Sequence, residues 1–313
     1  MKRIIIDTDT GVDDALAIIL ALKSPELSLE AITTVAGNAE VKKCTRNCLL
    51  ILDVLNPDRP PIVSKGAKKP LARVLVTEPR VHGRDGLGGI THEYPSLRHR
   101  PSERGAVQVI LDLVKKHPQQ ISIVAIGPLT NVARALQKDP RTMKKVKEII
   151  AMGGAFRVAG NQSPVAEFNM YVDPDAANCV FHSGIPITLL PLDVTQQGVL
   201  QRSDVVRLAR RGKHGLGFFI QRMTRRYMEY HKETEGFLGG YLHDPLAVAV
   251  AVKRDLVRYH DLHVEVETRG EITRGMTVAE IRSEREKRTP NAHVGYELKK
   301  REFLDFFQSR VWS

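Results

Sequence analysis

The chain has 313 residues, 42% hydrophobic and 27% charged, an ordinary globular composition, long enough to bury a sizeable core in one or two domains. Lys and Arg exceed Asp and Glu by 47 − 36 = 11, but the excess is dispersed, with a modest concentration over 269–301; no nucleic-acid recognition motif accompanies it, so no nucleic-acid polymer is expected as partner. No run approaches the roughly 20 apolar residues of a membrane span, and the short apolar stretch between Lys2-Arg3 and Asp7 cannot serve as a secretory leader, so a cytoplasmic protein without a membrane partner is expected.

Read in chain order, apolar runs alternate with segments of helical period. A strand at "RIIID" ends in "DTDTGVDDA", Asp7 to Ala15, followed by a helix over 13–22. A strand at "LEAITTVAG" and a helix over 41–55 come next, the latter carrying Cys44 and Cys48; with Cys179 these lack metal-type pairing and read as buried free thiols of a reduced compartment. The stretch 79–101, rich in Gly, His and Arg, reads as a long loop able to act as a mobile lid. Beyond it the pattern predicts a helix over 106–116, a strand at "ISIVAIG", a helix over 129–137, and a strand at "VKEIIAMGG". A helix over 174–183, a strand at "IPITLLPLD", a helix over 244–251 and a C-terminal helix near 298–312 complete it, with Phe303, Phe307 and Val311 at helical spacing. The alternation predicts one α/β domain over 1–313, an open, mostly parallel sheet flanked by helices.

Polar or Gly-rich residues follow each apolar run: Asp7 to Asp9, Gly37-Asn38, Gly127-Pro128, Gly153-Gly154 and Asp193. Ligands of open parallel sheets bind outside the carboxyl ends of the strands, so these ends are expected to converge. Four carboxylates within eight residues repel one another unless a cation binds, protons are taken up, or a helix N-terminus absorbs the charge. Capping accounts for Asp13 or Asp14 but not for Asp9 beside them. Hard cations take carboxylate, carbonyl and water oxygens, whereas zinc would want a nearby His or Cys. In "GYLHDPLAVAVAV", Asp244 with Pro245 behind it reads by itself as an N-cap with Pro in the first turn. In "MGGAFRVAGNQSPVAEFNMYVDPDAAN", Asn161, Glu167 and Asn169 form a polar group ahead of the Asp173-Pro174 helix start. A strand-end DxD also begins haloacid-dehalogenase-type phosphotransferases, whose pattern wants Thr or Val where this chain has Gly11.

Taken together, "DTDTGVDDA", "TTVAGN", "GPLTN", "MGG" with "AEFNMYVDPDAA", and "HDPLA" stand in the order and spacing of the inosine-uridine-type nucleoside hydrolases. The chain resembles that family from Ile4 to about Val250, with "ITRGMTV" beyond it also similar. The resemblance implies a Rossmann-like fold, a bound Ca²⁺ held by Asp9, Asp14, Asp244 and the main-chain carbonyl of Ile126, and hydrolysis of a ribonucleoside to ribose and free base, with Asp9 as general base. It assigns Asp13, Asn38 and Asn169 to ribose hydroxyls, Asn161, Glu167 and the Met152 backbone to the 5′ end, and His243 and His82 as candidate acids for the leaving base. Tyr227, Tyr230 and His231 fall in the segment that builds the base pocket in relatives. Trp312 is the single tryptophan and lies far from that segment, which favours the pyrimidine-preferring or broad branch over the tryptophan-lined purine branch. Family members are homodimers or tetramers, so a homo-oligomer is expected. A nucleoside-binding protein without turnover and a metal-dependent phosphohydrolase are the alternatives.

Overall fold

Lys2–Thr8 forms strand β1, whose Ile4, Ile5 and Ile6 are fully buried and point alternately to opposite faces. Ile4 and Ile6 enter one core and Ile5 the other, as a strand covered on both sides requires. Each such side chain contributes about 1.5–3 kcal/mol by leaving water. A computed structural model gives this architecture, describing residues 1–210, 215–282 and 288–312.

The other strands are β2 (Leu27–Thr34), β3 (Ile62–Lys65), β4 (Ile121–Ala125), β5 (Glu148–Met152), β6 (Ile187–Leu190), β7 (Val199–Gln201), β8 (Gly239–Tyr241), β9 (Val257–Leu262), β10 (Val264–Val266), β11 (Thr277–Ala279) and β12 (Ala292–Leu298). An eight-stranded sheet runs β3-β2-β1-β4-β5-β6-β12-β9, with β7-β8 and β10-β11 as separate antiparallel pairs. All of its neighbours are parallel except β12 and β9. The predicted single α/β domain with a mostly parallel sheet is what the structure shows. The strand order reverses direction between β1 and β4, and at such a switch point the helices diverge and leave a crevice.

The helices Val12–Leu22, Val41–Leu55, Leu216–Glu235, His243–Val252 and Lys300–Val311 share one core. Ala106–Lys116, Thr130–Lys138 and Pro174–Phe181 share the other. Phe303, Phe307 and Val311 are fully buried, so the C-terminal helix spends its apolar face on its own domain. Two expectations differ from the structure. The helix predicted over 244–251 starts at His243 with Leu242 as N-cap, so Asp244 lies inside the first turn and caps nothing. Asp173, in the same Asp-Pro context, does cap, accepting from the Ala176 N–H at 3.1 Å. Cys44 and Cys48 are buried, but Cys179 is only half-buried, packed against the margin of its core. Within 79–101 lie a helical turn at Pro79–His82 and a 3-10 turn at Thr91–Glu93, and the Asp85 carboxylate gathers the Leu87, Gly89 and Thr91 N–H groups at 2.9 to 3.0 Å.

Candidate active site

β1 and β4 end side by side, and the Ile126 N–H donates to the Asp7 carbonyl at 2.8 Å, which places the acidic loop beside Ile126. Asp7 turns away from the crevice. Its Oδ1 accepts from Thr33 Oγ1 at 2.5 Å and from Asn131 Nδ2 at 2.8 Å, clamping β1 to β2 and to the helix behind β4. Complete burial pushes its carboxyl up to about 7 against those two bonds.

The chain turns at Gly11, and Asp13 and Asp14 come in the first turn of the helix Val12–Leu22. That helix packs on His243–Val252, whose first turn holds Asp244, so residues from distant parts of the chain meet. Oxygens of Asp13, Asp14 and Asp244 lie within 4.8 Å of one another, and all three side chains are buried. Asp14 is firmly held: Oδ1 accepts from Thr8 Oγ1 at 2.5 Å, Oδ2 from the Gly11 N–H at 2.8 Å and Asn38 Nδ2 at 3.0 Å. Asn38 also donates its backbone N–H to Asp9 Oδ2 at 2.7 Å, joining Asp9 to the group, while Asp9 Oδ1 is buried without a hydrogen-bond partner. Glycines enclose Asp9. A Cβ on Gly37 would come within 2.1 Å of its Oδ2, and one on Gly127 within 2.9 Å of its Oδ1.

Burial first and mutual repulsion second raise the acids: Asp13 is pushed up to about 8, and Asp9 and Asp244 well above the usual carboxylate range. Two unit charges 4.8 Å apart repel by about 3.5 kcal/mol at an effective dielectric of about 20. Three such contacts approach the stability of a whole domain, so the group needs either protons or a cation. Among the described residues, those lining the crevice include no lysine or arginine. His82 Nδ1 is 4.0 Å from Asp13 Oδ1, but that nitrogen accepts the Val12 N–H at 3.1 Å, which leaves the ring proton on Nε2. Burial, more than the neighbouring His231, pulls the His82 pKa down to about 3, so the ring is neutral. A set of buried carboxylates with one orphaned oxygen and all-oxygen donors therefore fits a hard divalent cation.

Above the acids opens a cavity of about 420 Å³. Asp13, Asn38, His82, Ile126, Met152, Asn161, Glu167, Asn169, Tyr227, Tyr230, His231, His243 and Asp244 all line it. Asp9 and Asp14 lie beneath the floor and do not. One wall is built by Glu167, which caps the short helix Phe168–Val172 by accepting from the Asn169 N–H at 2.8 Å and the Met170 N–H at 3.1 Å, and also takes the Gly154 N–H at 3.0 Å. Asn161 Oδ1 accepts the Phe168 N–H at 2.9 Å. Asn169 Nδ2 donates to the carbonyls of Ile126 at 3.1 Å and Met152 at 3.3 Å, fixing both.

The opposite wall is aromatic. Tyr227, Tyr230 and His231 share one face of the 20-residue helix Leu216–Glu235, which the periodicity had not located. Tyr227 stacks on His82 at 5.9 Å and meets His231 edge-on at 4.5 Å, and Tyr241 joins His231 to His243 at 5.1 Å each. His243 Nδ1 lies 2.7 Å from the hydroxyl of Thr195, a buried residue that no sequence motif singled out. Burial holds His243 at about 3, with His231 and His82 adding to it, so this imidazole is neutral too. Tyr241 stands two places before His243 in "GYLHDPLAVAVAV", within reach of a sequence reading, whereas a lone Thr carries no pattern. Asp193 departs from the expected convergence of strand ends. Although it follows a strand, it does not line the cavity but accepts the Phe156 and Arg157 N–H groups at 2.9 and 2.8 Å, fastening that loop.

Residues 4–305 match the family described as inosine-uridine preferring nucleoside hydrolase. The chain belongs to that family. A pyrimidine-specific ribonucleoside hydrolase of Salmonella enteritidis is 40% identical over 310 residues, covering 98% of this chain and 97% of the relative. Among solved structures, a purine-preferring ribonucleoside hydrolase from Gardnerella vaginalis superposes with a TM-score of 0.90 at 36% identity, over 99% of this chain and 98% of that one. A plant nucleoside hydrolase, PpNRh1, does so at 0.91 and 35%, over 100% and 99%. The chain is thus a ribonucleoside hydrolase by family, an N-glycosidase, and the acid-floored crevice lies at its β1/β4 switch point. No helix among the described residues is long and apolar enough to cross a membrane.

Proposed function

We propose that this nucleoside hydrolase cleaves the N-glycosidic bond of pyrimidine ribonucleosides, or of a broad inosine-uridine range, with Ca²⁺ as its resident ion, in cytoplasmic nucleoside salvage. The observation that carries the reading is the buried group of Asp13, Asp14 and Asp244 under an aromatic-walled cavity without lysine or arginine in its lining. Asp9, Asp14, Asp244 and the Ile126 carbonyl would hold the ion, whose oxygen-only donors favour Ca²⁺ over zinc. When bound, the ion supplies positive charge that fixes the ribose diol and makes a coordinated water more acidic.

The chain's own groups do the rest. Asp9 accepts the proton of the attacking water at Oδ1, the oxygen left free when Asn38 engages Oδ2. Asp13, Asn38 and Asn169 receive ribose hydroxyls, while Asn161, Glu167 and the Met152 backbone orient the 5′ end. Charge develops as in an oxocarbenium-like glycosyl transfer, and the carboxylates beneath the sugar favour it. His243 and His82 face the departing base as neutral imidazoles, able to donate N–H without first being protonated, a use of histidine that a lowered pKa makes possible. Tyr227, Tyr230 and His231 wall the base. No tryptophan is among the described lining residues, and Trp312 instead packs on Phe307, which supports the pyrimidine or broad range.

The test is an incubation of pure protein with uridine, cytidine, inosine and a phosphomonoester in Ca²⁺, reading reducing sugar and phosphate. Ribose release that vanishes in Asp9→Ala is expected. Binding without turnover would make the chain a nucleoside-binding protein, phosphate release would make it a phosphohydrolase, and no ribose from any nucleoside would overturn the proposal.

A further inference from the structure

We propose that His182, His263 and Glu265 form a second metal site, outside the active-site cavity, suited to a borderline divalent ion of the Zn²⁺ type. None of the three lines the cavity. His182 ends the helix Pro174–Phe181, His263 precedes β10, and Glu265 lies within it.

The tautomers make the argument. His182 Nδ1 lies 2.9 Å from the Asn178 carbonyl and His263 Nδ1 2.8 Å from the Thr289 carbonyl. A carbonyl only accepts, so each Nδ1 carries the proton, and each Nε2 of a neutral ring is a bare lone pair. Those two nitrogens face the two oxygens of one carboxylate: His182 Nε2 is 3.3 Å from Glu265 Oε2, and His263 Nε2 is 2.9 Å from Oε1. Four acceptor atoms converge, an arrangement that a second proton on the rings or a cation among them relieves. A tetrahedral ion bound at 2.0–2.1 Å sets its ligand atoms about 3.3 Å apart, and one ligand atom from each of the three residues lies within 4.8 Å of the other two. Backbone carbonyls at Nδ1 are also the usual means by which a ligating imidazole is oriented. Imidazole nitrogens with one carboxylate suit Zn²⁺, whereas the all-oxygen active site suits a harder ion, so the two sites would select different metals.

The side chains are 47%, 21% and 38% exposed, which leaves an entry path and a fourth position for water. Arg288 Nη1 donates to Glu265 Oε1 at 3.0 Å, orienting the carboxylate while its charge weakens the attraction for a cation. An ion here would fasten the end of the Pro174–Phe181 helix to the β10-β11 pair, whose Thr277 bonds the Ala155 backbone beside the active-site loop.

The experiment uses the full chain, stripped with chelator and returned to excess Ca²⁺, then titrated with Co²⁺ followed by Zn²⁺. Expected are one equivalent of Co²⁺ with the intense visible bands of a four-coordinate nitrogen-ligated site, displacement by Zn²⁺, and a higher melting temperature with Zn²⁺. His182→Ala and His263→Ala should each weaken Co²⁺ binding at least about tenfold and leave ribose release in Ca²⁺ unchanged. Absence of the bands in the wild type would show an ordinary ion-pair cluster and overturn the proposal. So would bands that survive both histidine variants or disappear in Asp244→Asn, which would place the ion in the active site.

Discussion

Glu167 is the sharpest place to test how burial and hydrogen bonding compete in this cavity. Its carboxylate accepts three backbone N–H groups at 2.8 to 3.1 Å, which favour the charged form, yet it is 2% exposed, and burial wins, raising it from 4.5 to about 7. Folded protein therefore holds this proton more tightly than unfolded chain, and between pH 4.5 and 7 Glu167 removes stability as pH rises. The window of about 2.5 pH units corresponds to about 3.4 kcal/mol at 1.36 kcal/mol per unit. For 313 residues, an unfolding entropy of about 2.1 cal/mol/K per residue makes this about 5 °C in melting temperature. Glu167→Gln does not titrate. Its amide also faces N–H groups with a donor, at about 1–3 kcal/mol for each left unpaired, but that loss is the same at every pH. Melting temperatures of both proteins at steps from pH 4.5 to 7.5, with cation held constant, should show the wild type losing about 5 °C against the variant as pH rises. Parallel curves, or a wild type that gains on the variant, would mean that the hydrogen bonds set the pKa and would refute the reasoning.

Chelation should destabilise the protein, and Ca²⁺ at about one hundred times its dissociation constant should restore about 2.7 kcal/mol, read as a rise of about 4 °C; no response would remove the cation from the account. Thr195→Val takes away the hydroxyl 2.7 Å from His243 Nδ1 and should lower kcat about tenfold with KM little changed, with Thr195→Ser recovering most of it; a KM effect alone would argue against a positioning role. Gly37→Ala should cut Ca²⁺ affinity sharply, because its Cβ would sit 2.1 Å from Asp9 Oδ2, while far-ultraviolet circular dichroism stays native; unchanged affinity in calorimetry would contradict the geometry. Phe307→Ala, in the fully buried face of the C-terminal helix, should cost about 3–5 kcal/mol in urea unfolding and leave kcat intact once folded.

The central strands were legible because each is a continuous apolar run, and their helices because apolar residues recur at helical spacing. β9 and β12 were not: the edge strand β9, "VRYHDL", mixes exposed polar residues with few apolar ones, and β12, "AHVGYEL", is interrupted by His293, Gly295 and Glu297. The helix Leu216–Glu235 escaped for a similar reason: its buried face is broken up by Gly217, Thr224 and His231, so the stripe that carries Tyr227 looked polar. Within the site, the resemblance pointed to Asp9, Asp14 and Asp244 as ligands, whereas the oxygens that cluster are those of Asp13, Asp14 and Asp244, with Asp9 tied to Asp14 through Asn38. Local pattern alone misjudged Asp244, whose sequence context is the same as that of the capping Asp173; only the fold separates them. Asp7 had no assigned purpose, and the partners that give it one, Thr33 and Asn131, lie far away in sequence.

The packing of Val12–Leu22 on His243–Val252 has a kinetic consequence. Asp14 belongs to one helix and Asp244 to the other, so the oxygens that would surround the ion part whenever the two helices separate. Ion release would then keep time with the opening of that helix pair, and the rate at which a chelator strips the protein would report how often the N-terminal helix lifts from its partner. Any substitution that loosens this contact, however remote from nucleoside, should quicken the clock.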